Sequence, residues 1–220
     1  STVIENFLGI SLDDDYSPKE MITALELIMP KLEELYNTRV RHYVVKKHTL
    51  LVCEQFEKYA FAFDNKCMNM DLMRLVLAIH DIGKAIDRST QHEHTLSLVR
   101  ELWENTPFTE HEFNLVEVLL RDDHLGSYFQ NKYELSDLKE EIVANATELK
   151  MSPSILLQYK MILYQCDIAS YTKDAGGLKY LEHMFVYENG EKAFDEENGI
   201  IAMSEEYADR YVNLKESINE

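Results

Sequence analysis

The chain has 220 residues, 40 acidic against 22 basic, and a formal net charge of −18 at pH 7. A field of that sign repels long nucleic acid and anionic membrane surfaces, although it leaves room for a local basic pocket. Only seven glycines and four prolines, set among long runs of Leu, Met, Glu and Lys, argue against a sandwich or barrel and for a single, mostly helical domain.

Residues 1–16 read as a loose arm or short helix, apolar from Ile4 to Leu12 and then acidic at Asp13-Asp14-Asp15. Ser17-Pro18-Lys19-Glu20 joins a capping box to a proline at the first helical position, so a helix runs from Pro18 into the thirties, where Pro30 kinks or splits it. From Val40 to Phe63 the apolar positions Val44, Val45, Leu51, Val52, Phe56, Tyr59 and Phe63 keep helical spacing. His48 falls in the same stripe and therefore points inward. Asp64-Asn65-Lys66 breaks that helix.

The next stretch, Asp71 to Lys84, is apolar at every position from Leu72 to Ile79 except Arg74, and ends in His80-Asp81-Ile-Gly-Lys84. A buried imidazole beside a buried carboxylate is costly unless something pairs with both. A divalent metal does so, with Gly83 expected to stop the helix and leave Lys84 facing whatever anion binds there. Ser89-Thr90 caps a helix carrying His92, His94, Leu98, Val99, Leu102 and Trp103, which Pro107 ends. Thr109 to Glu112 is a second capping box, opening a helix that is expected to terminate near His124 and Gly126.

Residues 137–149 have the pattern of a further amphipathic helix, and Ser152-Pro153 caps a longer one reaching about Tyr171, with Asp167 on a largely apolar stripe. Beyond Gly176-Gly177, Asn189-Gly190 between aromatic flanks is the signature of a two-residue hairpin, and a last helix is expected from Ser204. Cys53, Cys67 and Cys166 lie far apart with no zinc-finger spacing. They read as buried free thiols of a reducing compartment. No signal peptide is recognisable, and the longest apolar run is far short of the roughly 20 residues that a membrane span needs, so a cytoplasmic protein with no membrane association is expected.

Four inward-facing or helix-end groups on three helices, His48, His80, Asp81 and Asp167, need a joint explanation. A lone histidine on an apolar face is more often a hydrogen-bonded core residue than a ligand, and Asp167 alone could be a helix-to-helix hydrogen bond. Their order, a helical histidine some thirty residues before His80-Asp81-Ile-Gly-Lys84 and a distant helical aspartate, resembles the HD superfamily of metal-dependent phosphohydrolases over about residues 40–172. The resemblance implies an all-α HD-domain helical bundle at 40–172, an N-terminal helical extension at 1–39, and a small β-hairpin with a C-terminal helix packed on it at 173–220.

It further implies that His48, His80, Asp81 and Asp167 bind a divalent metal ion: manganese, iron, nickel, cobalt, zinc or magnesium. Asp81, Lys84 and His124 become the catalytic candidates, and Arg88, His92 and His94 the substrate-binding ones. Additional histidines in related subfamilies bind a second metal or the substrate phosphate, so one metal and two both stay open. The expected activity is hydrolysis of a phosphomonoester or phosphodiester in a nucleotide or another small phosphorylated molecule. A diiron oxygenase on the same core and a non-catalytic, metal-stabilised binding or regulatory module are the alternatives. His42, His111 and His183 lie outside the pattern and read as surface or packing residues.

Overall fold

The computed structural model describes residues 2–63, 68–104, 108–175 and 179–219. They form a mostly helical fold with short hairpins, divided into two compact units. The first unit is Ser1–Glu54 with Asn69–Asp122; the second is Gln55–Met68 with Asp123–Glu220.

In the first unit, helix α1 (Val3–Leu8) is closed at its start by a reciprocal Thr2–Glu5 box and ends on Gly9 at φ 68°. Helix α2 (Pro18–Ile28) buries Met21, Ile22 and Leu25 completely. Pro30, which has no N–H to extend that helix, instead precedes α3 (Lys31–Tyr36). Tyr36 is fully buried and its hydroxyl donates to the Ala78 carbonyl at 2.5 Å. Thus α3 is tied to the end of the helix that carries the histidine-aspartate doublet.

The segment read as continuous helix from Val40 begins differently. Arg39–Val40 (β1) and Tyr43–Val44 (β2) pair antiparallel, with Val40 opposite Tyr43, and Arg41 turns the chain at φ 53°. Valine and tyrosine suit a pleated surface better than a helix, and here the pairing outweighs the apolar spacing. Helix α4 (Val45–Phe63) starts only after the hairpin, giving its first turns to the first unit and its remainder to the second. The proposed breaker at residues 64–66 lies outside the described residues.

Helix α5 (Met70–Ile79) starts at Asn69, whose side chain accepts from the Leu72 N–H at 3.0 Å. Leu72, Met73 and every residue from Leu75 to Ile79 are buried. Arg74, the polar exception, pairs with Asp71 at 3.2 Å and lies over the Tyr16 ring. His80 caps the helix, and a tight 3-10 turn, Ile82–Ala85, follows Asp81.

Gly83 does not stop α5; it sits inside the 3-10 turn. A Cβ there would lie 2.1 Å from the Gln91 carbonyl oxygen and 2.5 Å from Thr95 Oγ1. Its requirement is close approach rather than a left-handed backbone, because the turn presses on helix α6 (Gln91–Glu104). Gly83 N–H donates to Thr95 Oγ1 at 2.9 Å in a fully buried contact. Helix α7 (Glu110–Leu120) begins with the expected Thr109–Glu112 box, and Phe108 and Phe113 pack at a tilt against Trp103. Pro107 lies outside the described residues.

In the second unit, Asp123-His124 does not finish α7 but opens a separate short helix, α8 (His124–Phe129). Gly126 is interior to it and leaves room for the Asp123 carboxylate, which a Cβ would meet at 2.5 Å. Helices α9 (Leu135–Glu148) and α10 (Pro153–Ala169) pack together, and α10 carries Asp167. Two hairpins follow: Tyr187–Glu188 (β3) with Glu191–Lys192 (β4), and Phe194–Asp195 (β5) with Ile200–Ile201 (β6). Asn189 and Gly190 have φ 53° and 81°, the two positive values of a type I′ turn.

Gln165 of α10 holds β6 by a reciprocal pair of 2.9 Å bonds to Ile201, and helix α11 (Glu205–Ile218) closes the unit. Cys53 and Cys166 are buried, as their sequence context suggested, and Cys67 lies outside the described residues. Among the described residues no helix is long and apolar enough to cross a membrane.

Candidate metal centre

Three elements of the first unit converge on one buried spot. His48 comes from the first turns of α4, His80 from the end of α5, and Asp81 from the step between α5 and the 3-10 turn. His48 is 3% and Asp81 7% exposed. Each of the three offers one ligand atom, and those atoms lie within 4.8 Å of one another. Asp81 Oδ2 is the common point, 3.3 Å from His48 Nε2 and 3.9 Å from His80 Nε2.

The ring of His80 is set by the backbone. Its Nδ1 lies 2.6 Å from the Leu77 carbonyl oxygen. A carbonyl can only accept, so Nδ1 is the donor here and Nε2 is the nitrogen turned toward Asp81. Metal-ligating histidines are commonly oriented by such a second hydrogen bond. Two imidazole nitrogens and one carboxylate oxygen form a donor set that suits a divalent first-row metal. The residues present fit such an ion.

Lys84 enters from the 3-10 turn. Its ammonium lies 3.0 Å from Asp81 Oδ2 and donates to the Tyr43 hydroxyl at 3.3 Å. Tyr43, from β2, also packs its ring on His48 with centroids 4.9 Å apart and planes tilted by 37°. Sequence reasoning missed Tyr43. It had assigned that segment to a helix, and only the hairpin turns the side chain toward His48 and Lys84.

The other expected site residues are placed as follows. Asp167 belongs to the second unit, half-buried near the end of α10, where its backbone carbonyl accepts from the Ser170 hydroxyl at 2.6 Å. Arg88 is exposed in the loop that follows the 3-10 turn. The neighbouring Asp87 is held below the usual carboxylate range by hydrogen bonds from the hydroxyl and N–H of Ser89. His92 and His94 are half-buried in the first turn of α6. His92 Nδ1 donates to the Leu120 carbonyl oxygen at 3.1 Å.

His124 belongs to the second unit and has a carboxylate partner that the sequence did not suggest. Its Nδ1 is 2.7 Å from Glu141 Oε1, and its ring stacks on Tyr133 with centroids 4.5 Å apart and planes within 10°. The Tyr133 hydroxyl donates to the same carboxylate oxygen at 3.3 Å. A histidine with a carboxylate on one nitrogen is held in a fixed orientation by it. His42, His111 and His183 are exposed, in keeping with their reading as surface residues.

In comparisons with protein families, with curated proteins and with solved structures, nothing matches the chain. The functional reading therefore rests on the residues themselves.

Proposed function

We propose that the protein is a metal-dependent phosphohydrolase of the HD type, cleaving a phosphomonoester or phosphodiester of a nucleotide or another small phosphorylated molecule. The observation that carries this reading is the buried meeting of His48, His80 and Asp81, with the Lys84 ammonium 3.0 Å from the shared carboxylate oxygen. Its order in the sequence supplies Asp167 as the fourth ligand. A divalent ion held there supplies Lewis acidity and brings the pKa of a water toward neutrality.

The chain's own residues do the rest. Asp81 orients the attacking water and accepts its proton as the oxygen bonds to phosphorus. Lys84 meets the negative charge that grows on the phosphoryl oxygens as the new P–O bond forms and the ester P–O bond breaks. His124, oriented by Glu141, can return a proton to the leaving oxygen. Arg88, His92 and His94 are the candidates for holding the rest of the substrate.

The deciding experiment is a panel of nucleotides and sugar phosphates, assayed with manganese, iron, nickel, cobalt, zinc and magnesium, on the parent and on the H80A/D81A double variant. Release of phosphate or of a nucleotide product by the parent, lost by at least a hundredfold in the variant, is the expected result. Parent inactivity across the panel, or activity that survives the double substitution, sinks the hydrolase reading. Two irons per chain with oxygen consumption would replace it with an oxygenase.

A further inference from the structure

Two neighbours of the Lys84 ammonium stand in different relations to the metal ligands. One is Asp81 Oδ2, at 3.0 Å. That oxygen is also the one facing His48 Nε2 and His80 Nε2, so it is the atom a cation at this centre would use. The other is the Tyr43 hydroxyl, at 3.3 Å, with Nζ also 6.0 Å from the centre of the Tyr43 ring. An ammonium beside the first sets its charge against the oxygen that a divalent ion needs and repels that ion at short range. An ammonium moved onto the second does neither to the same degree.

We infer that Tyr43 is a positioning residue that draws the Lys84 ammonium off Asp81 when a divalent cation binds, so that the Tyr43–Lys84 pair sets the affinity of the centre for metal. This rests on the reading of His48, His80 and Asp81 as metal ligands, but not on the reaction they serve.

Three features support it. Tyr43 and Lys84 are 41 residues apart in sequence, yet the strand preceding Tyr43, β1, rests on the 3-10 turn that carries Lys84. The two seats of the ammonium therefore move little relative to each other. Tyr43 is registered against the buried Val40, which fixes the direction of its side chain. Its ring also packs on His48, so the phenol oxygen and the imidazole are held in one frame. A lysine stem with four rotatable bonds spans the short step between the seats without backbone motion.

The pair separates cleanly by substitution. Tyr43→Phe keeps the ring on His48 and removes only the acceptor. Lys84→Met keeps most of the apolar stem and removes only the charge. The test is a double-mutant cycle read by calorimetric titration of chelator-stripped protein with Mn²⁺, using the full chain throughout. Outer partners of metal sites commonly change affinity by about tenfold to a hundredfold. Lys84→Met is expected to bind Mn²⁺ about tenfold more tightly than the parent, because its competing charge is gone.

Tyr43→Phe is expected to bind several-fold more weakly than the parent, and the double variant as tightly as Lys84→Met alone. Unchanged affinity in Tyr43→Phe overturns the inference. So does the same loss in the Lys84→Met background, since Tyr43 would then act through His48 and not through the ammonium. Should Tyr43→Phe fail to fold, Lys84→Met still decides, for affinity equal to or below that of the parent removes the competition. A parent that takes up no Mn²⁺, Zn²⁺ or Fe²⁺ removes the metal centre altogether. A parent that binds metal but gives an additive cycle removes only the role of Tyr43.

Discussion

Asp81 carries more of the centre than either histidine. Its Oδ2 meets His48 Nε2, His80 Nε2 and the Lys84 ammonium within 3.9 Å. Asp81→Asn keeps the shape but leaves a neutral amide, so it loses the charge that attracts a cation and presents a nitrogen or a weaker oxygen to it. Mn²⁺ affinity measured by titration should fall by about a hundredfold, with the far-ultraviolet circular dichroism of the metal-free protein unchanged. Tyr36 permits a prediction about pH in the same unit. Complete burial, and to a lesser extent the nearby Cys53 and Glu26, push its phenol well above the usual 10. The unfolded chain begins to lose that proton near pH 10 while the folded chain still holds it. The stability contributed by the neutral phenol is therefore full below pH 10 and is lost as pH rises from there through the folded value. Tyr36→Phe removes the bond to the Ala78 carbonyl and should cost about 1 kcal/mol at pH 7. Its stability should then decline less steeply than that of the parent between pH 10 and 12, as urea midpoints measured across that range would reveal.

At the scale of elements, the doublet is placed by two contacts that arrive from outside its helix. Tyr36 of α3 ties down the carbonyl end of α5, and the 3-10 turn after Asp81 is bolted to α6 where Gly83 meets Thr95. Gly83→Ala must push aside a backbone carbonyl, which cannot rotate away as a flexible side chain would. The expected cost is about 2–3 kcal/mol in urea unfolding, with Mn²⁺ affinity reduced as well because the displaced turn begins directly at Asp81. A glycine that merely ended a helix would leave the metal affinity alone. This is also where reading from sequence reached its limit. The apolar run of α5, the Thr109–Glu112 box and the Asn189-Gly190 turn were legible because each is a local pattern. The β1–β2 hairpin was not, since two-residue strands have no periodicity and its turn uses Arg41 at φ 53° where glycine or asparagine would have signalled it. Helix α8 was missed because Gly126 has the look of a stop signal, whereas its small size serves the Asp123 carboxylate beside it. His48, His80, Asp81 and Lys84 could be read from the order of residue types. Tyr43 and Glu141 could not, because each meets its partner only through tertiary packing.

For the molecule as a whole, the excess of 18 negative charges sets the background against which the centre works. A chain with so large an acidic excess opposes its own compaction and gains from any cation bound specifically to the folded state. The ligand atoms of His48, His80 and Asp81 are brought within 4.8 Å of one another only by folding of the first unit. The unfolded chain, with 31 residues between His48 and the doublet, holds a divalent ion far more weakly. Binding energy at the centre is consequently folding energy. At a free metal concentration 100 times the dissociation constant, the linkage amounts to about 2.7 kcal/mol. For a chain of this length that corresponds to a rise of about 5–11 °C in the unfolding midpoint. Calorimetric scans of chelator-stripped protein, with and without Mn²⁺, should therefore show a midpoint that climbs with metal concentration. In H80A/D81A the same additions should move it by less than 1 °C, and sodium chloride at matched ionic strength should not reproduce the rise seen in the parent. If monovalent salt stabilises the parent as much as Mn²⁺ does, the gain is screening of the acidic surface and the three-residue centre contributes nothing to it.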